Sequence, residues 1–567
     1  MVSATDVAVV EIKAAGATIS ATWADALSLV RVEESVHLPS QATLHFNDPW
    51  FNLFEDRTLH VGVGLTVAFR HGGAAVKVFD GEVTSVSMDS GRGTLDELVV
   101  VALDRGHRLH RQGHNRTFLK QTDSGIAQKI AQEHGFTADV TATSEQHEYV
   151  VQHGQTDYEF LRERALRIGY QFWVSEQKLH FKPRPATGTG ATTLRWGEDL
   201  TQLRVRISAV DHRDEVTVRG WGATSKEVIT GKSTAAAAPV SFTTASAKDE
   251  LRTDAQTFTA AKQATGHVPV DSANDAEALA KSLITRAVGS GVVLRGECFG
   301  LPSIGAGTEV TIAGAAESLN GTYLMTSVEH AFGADLTYRT RFTCSGADSL
   351  ELSELLASNS ANASSAGPVP GAQWGGLLAG VVTNVNDTEN LGRVKVKLPT
   401  LGDDVETRWA RVASPGGGKD RGMQLLPEVN DEVVVGFEFG DMQRPVVLGG
   451  LWNSKDALVD AAAVADGKVK TRTWKSRLGH TIEMTDDDSA PTLIITHSGK
   501  STKIELTKEA LNITSDKPVS VKGKDVTLEA TGKLTLKGQE VDLTASTGVT
   551  LKAGTDMTIK GTQIKLN

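Results

Sequence analysis

Between Pro491 and Asn567 the chain repeats one short motif eight times, and no other stretch limits its possible folds so tightly. Each copy places two apolar side chains two residues apart. The pairs are Leu511/Ile513, Val519/Val521, Val526/Leu528, Leu534/Leu536, Val541/Leu543, Val549/Leu551, Met557/Ile559 and Ile564/Leu566. A period of two makes each copy a strand with one apolar face. Successive copies start seven or eight residues apart, with Gly523, Gly532, Gly538, Gly548, Gly554 and Gly561 between them, so a tight turn follows every strand. The segment contains no Phe, Tyr or Trp. One such strand per repeat makes only one wall of a prism, and a coil closed by a single chain needs more residues than this. Three chains wound together supply three walls. Sixteen apolar side chains at about 1.5–3 kcal/mol each correspond to tens of kcal/mol per chain, as an upper bound. A lone chain would leave that stripe in water and its strand edges unpaired. The expected axis of the trimer is built from Val526, Leu528, Leu534, Leu536, Val541, Leu543, Val549, Leu551, Met557, Ile559, Ile564 and Leu566. A surface-exposed tail and a single-chain β-helix are the alternatives.

The rest of the chain is mainly β with a few helices. Strands are expected at Val7–Ile12, Ala42–Phe46, Leu65–Phe69, Glu82–Met88 and Leu98–Leu103, and again at Thr308–Ala313, Gly321–Phe332 and Thr337–Cys344. Three helices announce their ends. One starts near Asp123 with Ile126 and Ile130 on one face and stops at Gly135. The second opens on Thr156 and Glu159, the spacing of a capping box, and stops at Gly169. The third opens with Asn274 and Glu277 and carries Leu279 and Leu283 one turn apart. Small polar residues and two prolines mark 357–373 as a linker. Beyond it, Gly392–Pro399 alternates cleanly, Val394, Val396 and Leu398 against Arg393, Lys395 and Lys397. Glu432–Phe439 puts Val433, Val435, Phe437 and Phe439 on one face. Short alternating strands with Gly, Pro and Asp turns predict a small closed barrel of the oligonucleotide/oligosaccharide-binding (OB) type. The domains expected are 1–356, 374–454 for the barrel, a neck at 455–490, and the repeat at 491–567.

Several stretches resemble a known family. Glu406–Pro415, Leu426–Asn453 and Gly392–Pro399 resemble the barrel of VgrG-type spikes and phage baseplate spikes. The neck sequence around Gly479–Asp487 is similar to the same family. Asp104–Phe118 with Gln155–Trp173 resembles the hub of late-control and VgrG proteins. Asn430 stands where that family commonly has Gly, and Met442–Gln443 replace a more turn-like pair. The resemblance implies a hub of two related barrel-like modules, the OB barrel, and a C-terminal triple-stranded, intertwined β-helix formed by a homotrimer. It implies a hexameric inner tube protein above, baseplate proteins around and a PAAR-like cap on the tip, in a contractile injection system that meets the target membrane mechanically. The opening Trp23–Asp48 leans toward an extracellular particle; a type VI secretion spike or a phage spike with envelope-degrading activity is the alternative.

Composition limits the other function classes. The formal charge of −11 argues against nucleic-acid binding by bulk electrostatics, and in the barrel acidic residues at least balance basic ones. The opening sixteen residues lack the basic-then-apolar order of a signal peptide, so assembly in the cytoplasm is expected. His107, His110 and His114 have ligand-like spacing but no completing Cys or carboxylate pair, so no metal and no cofactor are expected. Cys298 and Cys344, the two cysteines, are read as buried thiols. A lysozyme-like insertion would need more room between barrel and repeat than the neck allows, so no catalytic residues are assigned.

Overall fold

Alternation in the first hundred residues converts directly into sheet. In Glu97–Asp104 every second residue, Leu98, Val100 and Ala102 among them, is fully buried while the intervening ones are half-buried. The computed structural model describes residues 8–36, 38–71, 73–91, 96–183, 191–208, 212–222, 226–234, 261–265, 270–289, 291–333, 337–345 and 376–565. The expected linker 357–373 and Leu566 lie outside them. The described chain divides into two units, Met1–Trp452 and Asn453–Asn567.

The first unit is organised by one large sheet. Its path runs Leu200–Ile207, Val292–Phe299, Tyr338–Ser345, Gly321–Gly333, Leu27–Ser35, Gln41–Asn47, Glu97–Asp104, Val76–Asp89, Gly64–Arg70 and Val9–Ala14, closing on Ala17–Thr18. The ladder at its centre joins chain segments far apart in sequence, with Val32 opposite His330 and Glu33 opposite Glu329. Two apolar cores lie along it. One gathers Trp23, Leu44, Phe46, Phe69 and Leu98, and the other Leu294, Val310, Ile312, Met325 and Phe342. Cys298 and Cys344 are both buried in the second core on paired strands, opposite Thr340 and Leu294 respectively. Burial pushes the Cys298 thiol up to about 12, which keeps it protonated and unreactive.

The expected helices form Asp123–Glu133, Asp157–Ile168 and Ala273–Gly289. Thr156 closes the second as a reciprocal box. Its Oγ1 accepts from the Glu159 amide at 3.3 Å, and Glu159 Oε2 accepts from the Thr156 amide at 2.9 Å. Gly169 ends the helix at φ 72, a conformation that favours glycine. The third helix begins one residue before the expected Asn274, because Ser272 Oγ accepts from the Asp275 amide at 3.0 Å.

The small barrel follows the order Lys395–Lys397, Leu378–Asn384, Glu432–Phe437, Pro445–Gly450, Arg411–Val412. Bridges Val394–Ala410 and Lys397–Glu406 join the two ends of that path and close it. Val382, Val394, Val396, Leu398, Val433 and Val435 fill the interior. Phe439 is a correction. It was expected to face inward with Val433, but the strand ends at Phe437. Phe439 then turns into the left-handed region at φ 56 and is 60% exposed. Asn430 also adopts positive φ, 77, a conformation Asn tolerates better than most residues other than Gly.

Candidate functional site: an uncovered apolar sheet face

The second unit begins as an antiparallel meander of five strands, Thr471–Lys475, Thr481–Thr485, Thr492–Thr496, Lys503–Leu506 and Leu511–Thr514. Its register aligns apolar residues in two files. Trp474 lies opposite Ile482, then Ile495, Ile504 and Ile513. Met484 lies opposite Leu493, then Leu506 and Leu511. Since side chains two apart share a face, both files lie on one side of the sheet. Glu483, Ile494, Glu505 and Asn512 take the other side. Among the described residues of the second unit nothing covers the apolar side. No described residue of the second unit is buried, and Leu511 and Ile513 are each 63% exposed.

The stripe continues along the repeat. Of the predicted axis residues, Val526, Leu528, Leu534, Leu536, Val541, Leu543, Val549, Leu551, Met557, Ile559 and Ile564 are all exposed, from 51% at Ile564 to 70% at Leu528. Here the single chain differs from expectation. The Leu511/Ile513 unit is a strand, whereas the described residues from Ser515 onward form no ladder. The cause is the absence of a neighbouring strand within one chain, since a β-strand is defined by hydrogen bonds to a partner. Sequence reasoning missed the contribution of Trp474, Ile482, Met484, Leu493, Ile495, Ile504 and Leu506. Their period-two alternation was the available signal, weakened by the adjacent Ile494 and Ile495.

The hub carries the polar features. His107, His110 and His114 do not converge. His107 Nδ1 meets the Asp104 carbonyl at 2.7 Å, the His110 ring stacks on Tyr158 at 3.9 Å between centroids, and His114 Nε2 lies 3.5 Å from Asp157. Asp157 instead forms the floor of a cleft of about 630 Å³ lined by Arg108, Arg111, His114, Glu133 and His134. Its carboxylate accepts from Arg116 at 2.5 Å, Gln152 at 2.9 Å and His134 at 2.8 Å. Burial raises its pKa, and these hydrogen bonds with the Arg116 charge more than reverse that. Among the described residues no group of three or more His, Cys, Asp or Glu could hold a metal ion, and no helix is long and apolar enough to cross a membrane.

Hub and barrel are fastened by polar contacts that sequence gave no sign of. Arg408 and Arg444 each approach Asp271 at 3.0 Å. Tyr149 donates its hydroxyl to the Glu406 carbonyl at 2.8 Å, and its ring packs into the barrel core.

The comparisons with known proteins fit this architecture. Residues 4–333, more than half of the chain, match the Alg8 N-terminal domain. Residues 378–452 match the type VI secretion system/phage-baseplate injector OB domain. The chain is 26% identical over 436 residues to the type VI secretion system spike protein VgrG1a of Pseudomonas aeruginosa, covering 73% of this chain and 66% of the relative. It is 25% identical over 451 residues to VgrG1b of the same species, covering 76% and 59%. The chain thus spans less than two thirds of the length of either relative. The chain belongs to the Alg8 N-terminal domain family and is a VgrG-like baseplate spike. Its fold is shared with a chain of the half-lidded PdpA–VgrG complex of Francisella, with a TM-score of 0.54 over 90% of this chain and 88% of that one at 9% identity.

Proposed function

We propose that this spike works as a homotrimer at the tip of a contractile, phage-tail-like injection machine, with hub residues 1–356 toward a hexameric inner tube and residues 491–567 forming a triple-stranded β-helix. The observation that carries the reading is the apolar face running from Trp474 to Ile564 with no buried residue behind it. Patches of this extent on soluble proteins mark interaction surfaces. Two sister copies supply at once the missing cover and the missing ladder partners. Baseplate proteins surround the hub and a PAAR-like protein caps the free end. The role is mechanical: a closed prism has no free edge to peel, so it carries axial load. No catalytic step is assigned. Among contractile systems we favour a released extracellular particle over a type VI apparatus, on the Trp23–Asp48 opening; a sheath gene and its disassembly ATPase beside this one are the evidence to seek.

Sedimentation of the purified full-length chain at micromolar concentration tests the trimer. Three copies of 60.3 kDa are expected in one species. A well-behaved single chain with an ordered second unit overturns the reading. Clearing of a peptidoglycan suspension by the same preparation would sink the non-enzymatic assignment.

A further inference from the structure

The turns between repeat units fall into two kinds, which alternate from 514 to 548 before a second longer turn follows at 552–556. Short turns of four residues occupy Lys522–Asp525, Lys537–Glu540 and Lys560–Gln563, each with Lys first and Gly second. Longer turns of five residues occupy 514–518, 529–533, 544–548 and 552–556. The backbone separates the two kinds as well. A Cβ on Gly523, Gly538 or Gly561 would meet the carbonyl oxygen two residues on, at 3.0, 2.9 and 3.4 Å respectively. On Gly532, Gly548 or Gly554 it would meet nothing within 4 Å.

The charges follow the same alternation. Directly after an apolar pair come Lys522, Glu529 and Lys537 in successive turns. Directly before the next pair come Asp525, Lys533 and Glu540. Over these three turns each position alternates in sign, with opposite phase; the pattern is confined to them, since Lys552 and Lys560 both follow an apolar pair in the last two turns. Among the described residues none of these six side chains forms an ion pair in the single chain.

Three-fold winding gives this pattern a use. Each strand forms one wall, and the turn after it carries the chain to the next wall. The strand stacked on a given wall is then the following unit of a sister chain, about 4.8 Å along the axis. Turns stacked along one edge of the prism are consecutive in number and come from different chains. Along that edge Glu529 lies between Lys522 and Lys537, and Lys533 lies between Asp525 and Glu540. A slip of one unit brings Lys522 beside Lys537 or beside its own copy, and Asp525 beside Glu540. In a single-chain coil of three walls each turn would stack on the third one following. That places Lys522 by Thr544 and Lys537 by Lys560, and the complementarity is lost.

We propose that Lys522, Glu529 and Lys537, with Asp525, Lys533 and Glu540, form inter-chain charge ladders on the prism edges that fix the axial register of three copies of this chain. The inference rests on the trimeric reading above. Adjacent opposite charges favour the correct stacking and adjacent like charges oppose the slipped one.

Two experiments on the full-length chain test it. Lys522→Glu/Lys537→Glu surrounds Glu529 with acids, and adding Glu529→Lys restores alternation with inverted sign. The double variant is expected to lower the melting midpoint of the trimer by several degrees at low ionic strength, and the triple variant to recover most of that. The gap should narrow in high salt. Lys475→Glu/Lys500→Glu, with the same change in net charge away from the edges, is the control. Separately, Lys522→Cys/Glu529→Cys should give inter-chain disulfides on mild oxidation, while Lys522→Cys/Lys537→Cys should not. A triple variant no better than the double, or cross-linking in the second cysteine pair and not the first, overturns the ladder while the trimer stands. A wild-type chain that sediments alone removes both.

Discussion

The two units of this spike solve the burial problem in opposite ways. Among the described residues, those up to Trp452 enclose five separate apolar cores within one chain, and those from Asn453 on enclose none. Both use period-two strands of similar apolar content. The difference lies in what returns to cover the face. In the first unit the chain folds back from far away, as Gly321–Gly333 does against Leu27–Ser35, and helices close the remaining sides. In the second, from Thr471 on, strands and repeat units follow one another by connections of four to six residues, too short to bring any segment back across the stripe. Connection length decides whether burial is an internal or an assembly property. The first unit should therefore be stable at any dilution, and the second should owe its order to mass action.

The sharpest way to break this comparison is Leu534→Asp/Leu536→Asp. In the trimer these substitutions bring six carboxylates to one axis, and unpaired buried charge costs several kcal/mol per group. The expected result is a single chain by sedimentation whose first unit keeps its cooperative melting. A trimer that survives would show that the stripe is not the interface. A milder pair sharpens the contrast. Leu44→Ala, fully buried in the large sheet, should cost about 2–5 kcal/mol with a midpoint independent of protein concentration. Leu536→Ala should shift a midpoint that rises with concentration. Equal concentration dependence in both variants would erase the distinction between the units.

The same contrast governs how much could be read from residues alone. Strands with strict alternation, such as Gln41–Asn47 and Glu97–Asp104, were legible, as were helix ends carried by local chemistry at Thr156 and Gly169. The repeat was legible as a stripe needing cover, since its period is local. Pairings set by distant partners were not: no pattern near Val32 points to His330, and none near Asp271 points to Arg408 and Arg444. Phe439 illustrates the limit within one strand. Its alternation continued past the point where the backbone turned, and a positive φ at a bulky residue leaves no trace in a hydrophobicity pattern.

Proton linkage separates the units further. In the first, burial raises Glu163 and Glu34 to about 7 and Asp104 to about 6. Each raised group holds a proton in the folded chain that the unfolded chain releases. Its contribution is complete below the ordinary carboxylate range and is lost as pH rises toward 7. The slope is at most about 1.4 kcal/mol per pH unit for one group. Glu163→Gln should accordingly shrink the stability difference between pH 5 and pH 8, measured by urea unfolding, by on the order of 2 kcal/mol. Trimer dissociation in the second unit, driven by an apolar stripe, should lack this dependence. An unchanged difference in the Gln variant would mean that Glu163 is solvated in the folded protein.

The smallest effect concerns the joint between hub and barrel, which belongs wholly to the first unit. Tyr149 brings its ring into the barrel core and its hydroxyl to the Glu406 carbonyl, so it contributes by both packing and hydrogen bonding. Tyr149→Phe keeps the ring and removes only the donor. A net loss of about 1 kcal/mol is expected, the usual value for one intramolecular hydrogen bond. Since both partners lie in one chain, the loss should be identical in the trimer and in the dissociated Leu534→Asp/Leu536→Asp background. If the loss instead disappears on dissociation, the barrel is held to the hub by its sister copies as well. The boundary between internal and assembly burial would then lie upstream of Trp452, inside what the single chain presents as a self-sufficient unit.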